Sequence, residues 1–141
     1  MKFPEEYLNC FACGPNNTRG LKLTFDYNNE KQLLESRMIL PSDLEGWPGV
    51  IHGGIVTTVL DECAYYTILQ SGDKWSTGVT TNINLDFKAP TPANEPLLAQ
   101  AWIEKNRRNL LYCQARLFIE KDMTLLAKAE ITYLMKKAVH A

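Results

Sequence analysis

The chain has 141 residues, of which 45% are hydrophobic and 22% are charged, and its formal net charge is -1. This size and composition predict a single domain over residues 1–141 with one core. Acidic and basic residues are mixed along the chain, which argues against a nucleic-acid partner and against a disordered charged tail. The sequence lacks an apolar run of the roughly 20 residues that span a bilayer, and its start, MKFPEEYLN, lacks a signal-peptide core. We therefore expect a cytoplasmic protein without a membrane partner.

The first half of the chain predicts a β-hairpin followed by one long helix. In chain order, the patterns are an alternating strand at residues 21–27, a turn at 28–31, a strand at 33–40 and a loop rich in proline and glycine at 41–49. The helix is predicted at residues 53–69, and Gly72 is expected to end it.

The second half contains only strand patterns. These lie at residues 79–87, 97–103, 110–119 and 125–135, with turns at 106–109 and 121–122. Strict alternation in the first of them places Thr80, Asn82 and Asn84 on one face. Alternation in the last of them places one set of mostly apolar residues on one face: Leu125, Ala127, Ala129, Ile131, Tyr133 and Met135. One helix and six strands predict an α+β fold, in which an antiparallel sheet wraps around a single central helix.

The segment IHGGIVTTVLDECA at residues 51–64 carries the chemistry. Backbone N–H groups at a helix start can polarise a carbonyl oxygen. A carboxylate on the same helix, Asp61, can attack the carbonyl carbon or activate water. On a helical wheel Asp61 lies opposite the apolar arc, on a face of mixed character that we expect to meet a partner subunit or a ligand cleft. Glu62 is the alternative carboxylate, although a structural or solvated role suits it better.

The four cysteines do not predict a metal site. Cys63 and Cys113 fall on the helix and in a strand pattern, as reduced core thiols do. Cys10 and Cys13 form a lone C-x-x-C, whereas a zinc site normally needs four ligands. The spare histidine, His140, lies beside the C-terminus. A tight turn is therefore the favoured interpretation of C-x-x-C, with zinc shared between subunits as the alternative.

Three stretches together resemble the hotdog-fold acyl-CoA thioesterases, and more closely their phenylacetic-acid-type (PaaI-like) branch. They are HGGIVTTVLDECA, GVTTNINLDFKAP at residues 78–90, and the two closing strands. The opening CFACGPNNTRGLKL is also similar to a variant found in some members. The resemblance implies a hotdog fold and hydrolysis of an acyl-CoA thioester to a free acid and coenzyme A. It implies no further cofactor, and a homodimer, often a dimer of dimers, with active sites at the subunit interface.

Roles for individual residues follow from the same resemblance. Asp61 would be the general base or the nucleophile, and the Gly54 backbone N–H would polarise the thioester carbonyl. Gly53 would give the turn its conformational freedom, and His52 would shape the turn or contact the thioester. Thr80 would come from the opposite subunit and hold the attacking water.

Substrate contacts are expected from Gly53, Tyr65, Asn82, Lys88, Arg107 and Arg108. The three basic side chains would hold the phosphates of coenzyme A, the alternative being ordinary solvated turn charges. Thr80 and Asn82 could equally be solvent-facing strand residues. A non-catalytic module that binds or senses acyl-CoA is the alternative function, although such a module has no need of a carboxylate beside the thioester.

Overall fold

One long helix lies across a six-stranded antiparallel sheet in a computed structural model that describes residues 5–72 and 74–137. The helix, α1, is Gly53–Gln70. The strands are β1 (Asp26–Asn28), β2 (Leu33–Ile39), β3 (Glu45–Trp47), β4 (Val50–Ile51), β5 (Trp75–Phe87), β6 (Pro96–Arg107), β7 (Leu110–Ile119) and β8 (Thr124–Lys137). The order in the sheet is β1-β2-β6-β7-β8-β5, while β3 and β4 form a separate hairpin. This is the predicted hotdog arrangement.

The core lies between α1 and the inner face of the sheet. Five inward residues of β8 are buried as the alternation predicts: Ala127, Ala129, Ile131, Tyr133 and Met135. From the helix, Val59, Leu60 and Cys63 are fully buried against them, and Cys113 of β7 is also buried and free. Burial of this apolar surface is the main stabilising contribution to the fold.

The first predicted strand is mostly wrong as a strand, although its odd-numbered residues are buried or half-buried and its even-numbered residues are exposed. Only its last two residues enter β1, because the backbone turns at Lys22, which adopts a left-handed φ of 52°. The N–H of Leu23 donates to the carbonyl of Ala12 at 3.0 Å, so the N-terminal turn satisfies this backbone. Leu23 and Phe25 are nevertheless buried in the core.

The predicted loop at residues 41–49 contains unpredicted structure. A 3₁₀ turn at Ser42–Leu44 and strand β3 lie within it, and β3 pairs with β4 just before the helix. Strands of two or three residues are too short to show alternation in the sequence. The hairpin fixes the helix start, since the His52 N–H donates to the Leu44 carbonyl at 2.9 Å.

Two further observations concern the ends of elements. Gly72 follows the helix with a positive φ of 151°, as predicted for the residue that ends it. The predicted turn at residues 106–109 is tighter than expected, because β6 and β7 leave only Arg108 and Asn109 between them.

The described part of the chain contains no helix with both the length and the hydrophobicity that a membrane span requires. His140 lies outside the described residues.

Candidate active site

The start of α1 combines a histidine cap with two glycines. The Nδ1 atom of His52 accepts a hydrogen bond from the Gly54 N–H at 2.9 Å, which caps the helix. The Gly54 N–H, predicted to polarise a thioester, is therefore bonded to His52 in this structure. The Gly53 N–H lies at the first position of the helix and has no acceptor within the helix. A Cβ on Gly53 would lie 3.2 Å from the Phe87 ring, so the glycine permits this close packing.

A pocket of about 460 Å³ opens beside the helix start. Gly53 and Val56 of α1 line it, together with Phe87 at the end of β5 and the next residue, Lys88. Its walls are mostly apolar, with one cation at the side. The structure thus brings together Lys88 and Gly53, two of the expected substrate contacts, in one pocket.

Asp61 is half-buried on the side of α1 that faces β5 and β8. Its Oδ1 atom accepts hydrogen bonds from the hydroxyls of Tyr133 at 2.8 Å and Thr80 at 3.0 Å. The Tyr133 hydroxyl also lies 2.6 Å from the Asp61 carbonyl oxygen. Among residues 5–72 and 74–137, no donor reaches Oδ2. One carboxylate oxygen is therefore fixed and the other is open to a reactant.

Tyr133 remains a hydrogen-bond donor at neutral pH. Burial, followed by the nearby Asp61 charge, raises the pKa of its phenol well above the ordinary value. Sequence reasoning placed Tyr133 on the inner face of β8 but assigned it no role. An inward-facing tyrosine among aliphatic neighbours was the available signal, because a buried phenol needs a polar partner.

Thr80 corrects one expectation. It was expected to reach the active site from the opposite subunit, but it contacts Asp61 of its own chain. Thr80 pairs with Tyr133, yet Asn82 pairs with Thr132, because Thr81 is an extra residue in β5. This β-bulge reverses the alternation. The prediction that Thr80 and Asn82 share a face is therefore wrong: Thr80 faces the helix, and Asn82 lies on the outer face, away from Asp61.

Tyr65 borders the Asp61 cluster. Its ring packs at 5.7 Å, centroid to centroid, from that of Tyr133. Its hydroxyl lies 2.7 Å from the Tyr7 hydroxyl and accepts the Gly78 N–H at 3.2 Å. Burial raises the pKa of Tyr65, so it is neutral. The Tyr65 hydroxyl therefore connects α1 to the N-terminal segment and to β5 by hydrogen bonds. Since the hydroxyl is already bonded, the ring is the part of this side chain that remains to contact a substrate.

The two arginines have different surroundings. Arg108 lines a second pocket, of about 850 Å³, with Lys74, Lys136 and Lys137. Arg107 is exposed at the end of β6 and does not line this pocket. Sequence analysis did not identify the three lysines as a group. They come together only because the start of β5 pairs with the end of β8 next to the turn that contains Arg108.

Glu62 lies on another side of the helix from Asp61. Its Oε1 atom is 3.1 Å from the Cys13 Sγ and 3.6 Å from the Cys10 Sγ. The predicted tight turn at C-x-x-C is confirmed, since the Gly14 N–H donates to the Cys10 carbonyl at 2.9 Å. Glu62 therefore contacts the N-terminal turn.

The family follows from a comparison with known proteins. Residues 48–134 match the family model described as "Thioesterase superfamily". The chain belongs to this superfamily. The matched region contains α1, β5 and most of β8, and with them Asp61, Thr80 and Tyr133, the residues of the carboxylate cluster.

The chain is also similar to two longer proteins and to one solved structure. The bovine "Acyl-coenzyme A thioesterase THEM4" is 29% identical over 75% of this chain and 46% of its own length. The "Uncharacterized mitochondrial membrane protein FMP10" of Saccharomyces cerevisiae is 29% identical over 76% of this chain and 44% of its length. The chain thus spans less than half the length of these two relatives. A solved putative thioesterase from Ralstonia eutropha JMP134, named a "phenylacetic acid degradation-related protein", has a TM-score of 0.74 at 23% identity, covering 93% of this chain and 97% of that one.

Proposed function

We propose that this thioesterase-superfamily protein hydrolyses an acyl-CoA thioester to a free acid and coenzyme A. The observation that carries the proposal is the Asp61 carboxylate, which has one oxygen held by two hydroxyls and the other without a donor from the part of the chain that the structure describes. The name of the THEM4 relative supports acyl-CoA as the substrate class. The Ralstonia structure supports the phenylacetic-acid-type branch, in which aromatic acyl groups are the first to test.

The fixed carboxylate suits either of two chemical roles. As a general base, Asp61 takes a proton from water while the water oxygen adds to the thioester carbon. The intermediate then expels the coenzyme A thiolate, which receives the proton. As a nucleophile, Oδ2 attacks the thioester carbon and expels the coenzyme A thiolate, which leaves the acyl group joined to Asp61 as an anhydride. Water then cleaves the anhydride to the free acid and the Asp61 carboxylate, and the thiolate takes up the proton that is released. In both cases Tyr133 and Thr80 position the carboxylate.

Helix geometry favours a site built from two chains. Gly54 and Asp61 lie roughly 10 Å apart along the axis of one helix. A donor and an attacking oxygen that share one thioester carbonyl must lie within about 6 Å of each other. We infer that the helix start of one subunit supplies the carbonyl donor to Asp61 of another. The Gly53 N–H is the better candidate donor, since the Gly54 N–H bonds His52.

The edge strand β5 supports the homodimer. It has 13 residues, and among the described strands only β8 pairs with it. Its Val79, Ile83 and Phe87 side chains are exposed. Long exposed edges with apolar residues are typically covered by another chain. Pairing of two β5 edges would bring the two helix faces together, and a dimer of dimers is the further assembly that we expect.

The basic pocket of Arg108, Lys74, Lys136 and Lys137 is the proposed phosphate site for coenzyme A. Several cations around one cavity attract a multiply charged ligand more strongly than isolated surface lysines do. Lys88, in the pocket beside Gly53, is proposed to contact the substrate nearer the thioester. A cytoplasmic location stays a prediction, and the name of the yeast relative puts that protein in a mitochondrial membrane.

Thiol release from a panel of acyl-CoA thioesters tests the function. The panel should run from short to long aliphatic chains and include aromatic acyl groups. Wild type is compared with Asp61→Asn and with Asp26→Asn, a matched change at an exposed position on β1. We expect wild type and Asp26→Asn to release thiol from at least one acyl-CoA, and Asp61→Asn to release none. Binding by calorimetry without release from any thioester would instead support the non-catalytic acyl-CoA module.

Mixed dimers test the two-chain site. Gly53→Pro removes the N–H at the first helical position, where proline fits the backbone, and the exposed Phe87 ring must shift by a few tenths of an ångström to admit its Cβ. Subunits carrying Gly53→Pro and subunits carrying Asp61→Asn are each expected to be inactive. If the site is shared, mixing them leaves one intact site in each heterodimer and restores about a quarter of wild-type activity. No recovery, with heterodimers demonstrated by mass spectrometry, would show that each site belongs to one chain.

A further inference from the structure

Two thiols and a carboxylate converge where the N-terminal turn meets α1. The Sγ atoms of Cys10 and Cys13 and an oxygen of Glu62 all lie within 4.8 Å of one another. The Glu62 Oε1 is 3.1 Å from one sulfur and 3.6 Å from the other. In a tetrahedral zinc site with Zn–S near 2.3 Å and Zn–O near 2.0 Å, sulfur and oxygen ligands lie about 3.5 Å apart. The separations are therefore close to those of ligands around one ion.

The turn that presents the sulfurs is tightly built. A Cβ on Gly14 would lie 2.5 Å from the Leu8 carbonyl oxygen and 2.7 Å from that of Cys10, so only glycine fits there. The Cys10 N–H donates to the Tyr7 carbonyl at 3.0 Å and the Gly14 N–H to the Cys10 carbonyl. These contacts hold both cysteines on the side of the turn that faces the helix. The sulfurs thus converge on Glu62 because of the local backbone.

Glu62 has no cationic partner among the described residues, where each ion pair involves other side chains. Its only side-chain hydrogen-bond donors in that part of the chain are the two thiols, which are weak donors. A half-buried carboxylate flanked by two thiols lacks positive charge, which a metal ion would supply.

We propose that Cys10, Cys13 and Glu62 bind a divalent transition-metal ion, with Zn²⁺ as the first candidate. Two sulfur ligands favour zinc over magnesium or calcium, which prefer oxygen. Three protein ligands leave a position for water, and Cys10 is partly exposed to solvent. The lone C-x-x-C was not expected to bind metal, because the sequence shows no second pair of ligands. The fold supplies the third ligand from 49 residues away.

The ion would fasten the N-terminal turn to the helix. Tyr7, which precedes this turn, contacts Tyr65, and Tyr65 packs against Tyr133 of the Asp61 cluster. Metal binding would therefore stabilise the wall of the proposed active site without touching the reacting atoms. The site is inferred from its own ligands, so its test needs no substrate and its outcome is independent of the proposed hydrolysis.

Metal binding is measured on the reduced 141-residue chain, purified without a metal-affinity tag. One equivalent of Zn²⁺ should bind per chain and release two protons if Glu62 is ionised, or three if it is protonated. Co²⁺ should give sulfur-to-metal charge-transfer absorption. At about 100 times its Kd, Zn²⁺ should raise Tm by roughly 5–10 °C.

Variants identify the ligands. Cys13→Ser and Cys10→Ser should abolish the charge-transfer band, and Glu62→Gln should weaken Zn²⁺ binding by at least about tenfold. Cys113→Ser, a buried thiol outside the cluster, is the matched control and should bind as wild type does. Equal binding by Cys13→Ser, no Zn²⁺ uptake by wild type, or a Cys10–Cys13 disulfide that persists in reductant would each overturn the proposal. Circular dichroism confirms that every variant is folded.

Discussion

Asp61 and Glu62 are neighbours in sequence, yet the fold gives them different surroundings. Successive helix residues point about 100° apart, so the two carboxylates leave α1 in different directions. Asp61 meets the hydroxyls of Thr80 and Tyr133, which come from the sheet. Glu62 meets the thiols of Cys10 and Cys13, which come from a tight turn. The same functional group thus lies in an oxygen environment and in a sulfur environment a few ångströms apart.

The comparison shows that the neighbours, rather than the carboxylates, decide the chemistry. The hydroxyls around Asp61 stay protonated at neutral pH, so they donate to the carboxylate, and they leave Oδ2 available. The thiols around Glu62 can lose their protons to a metal and become ligands. Asp61 is therefore suited to act on a substrate, and Glu62 to hold an ion. Four predictions test this division of roles.

Asp61→Asn should have the largest effect. The amide keeps the shape of the carboxylate but cannot take a proton or attack, so kcat should fall by about 10² or more. Tm should change by only a few degrees, because Asn can still accept both hydroxyl bonds. Steady-state kinetics on the best acyl-CoA and a thermal melt check both points. Glu62→Gln in zinc-free protein should keep kcat within about twofold; a larger loss would mean that the roles are not separate.

Tyr133→Phe should have the next largest effect. It removes the buried hydroxyl that contacts both Oδ1 and the carbonyl of Asp61, and kcat should fall by about tenfold. The free energy of unfolding should fall by about 1–2 kcal/mol, since one buried hydrogen bond is lost. Kinetics and urea unfolding measure the two effects. Unchanged kcat together with lost stability would make Tyr133 a purely structural residue.

Thr80→Val should lower kcat by a few-fold, because it removes the second donor to Oδ1 and keeps the side-chain shape. Thr81→Val is the control, since the Thr81 hydroxyl bonds the carbonyl of Thr132 instead. A KM change without a kcat change in Thr80→Val would assign this hydroxyl to binding rather than to positioning Asp61.

In zinc-free protein, Glu62→Gln should have the smallest effect, visible only in how the free energy of unfolding depends on pH. Burial raises the pKa of Glu62 in the folded state, so folding favours its protonated form. The stability of zinc-free wild type should therefore decline as pH rises from the ordinary carboxyl range through the folded pKa, and then level off. Glu62→Gln should lack this decline. Urea unfolding with a chelator between about pH 4 and 8 measures the difference; parallel curves would contradict it.

Local patterns in the sequence were enough for the larger elements. The long helix, its Gly72 end and the inward face of β8 follow from periodicity and turn residues, and the structure confirms them. The strand predicted at residues 21–27 is mostly absent, because the alternation in this segment reflects which side chains are buried and not which strands pair. The short β3–β4 hairpin left no periodic signal. Where apolar residues repeat over several turns or strands, the sequence is informative, since burial depends on that repeat.

The sequence by itself determined that one helix would present a glycine-rich start and a carboxylate two turns later, because helical spacing follows from the chain alone. Only the tertiary structure decided what surrounds that carboxylate. The extra residue Thr81 reversed the alternation of β5, which brought Thr80 to Asp61 within one chain and turned Asn82 to the outer face. Tyr133, and the thiols beside Glu62, are also distant in sequence. Such contacts depend on strand register and on where a turn docks, and neither is encoded in local periodicity.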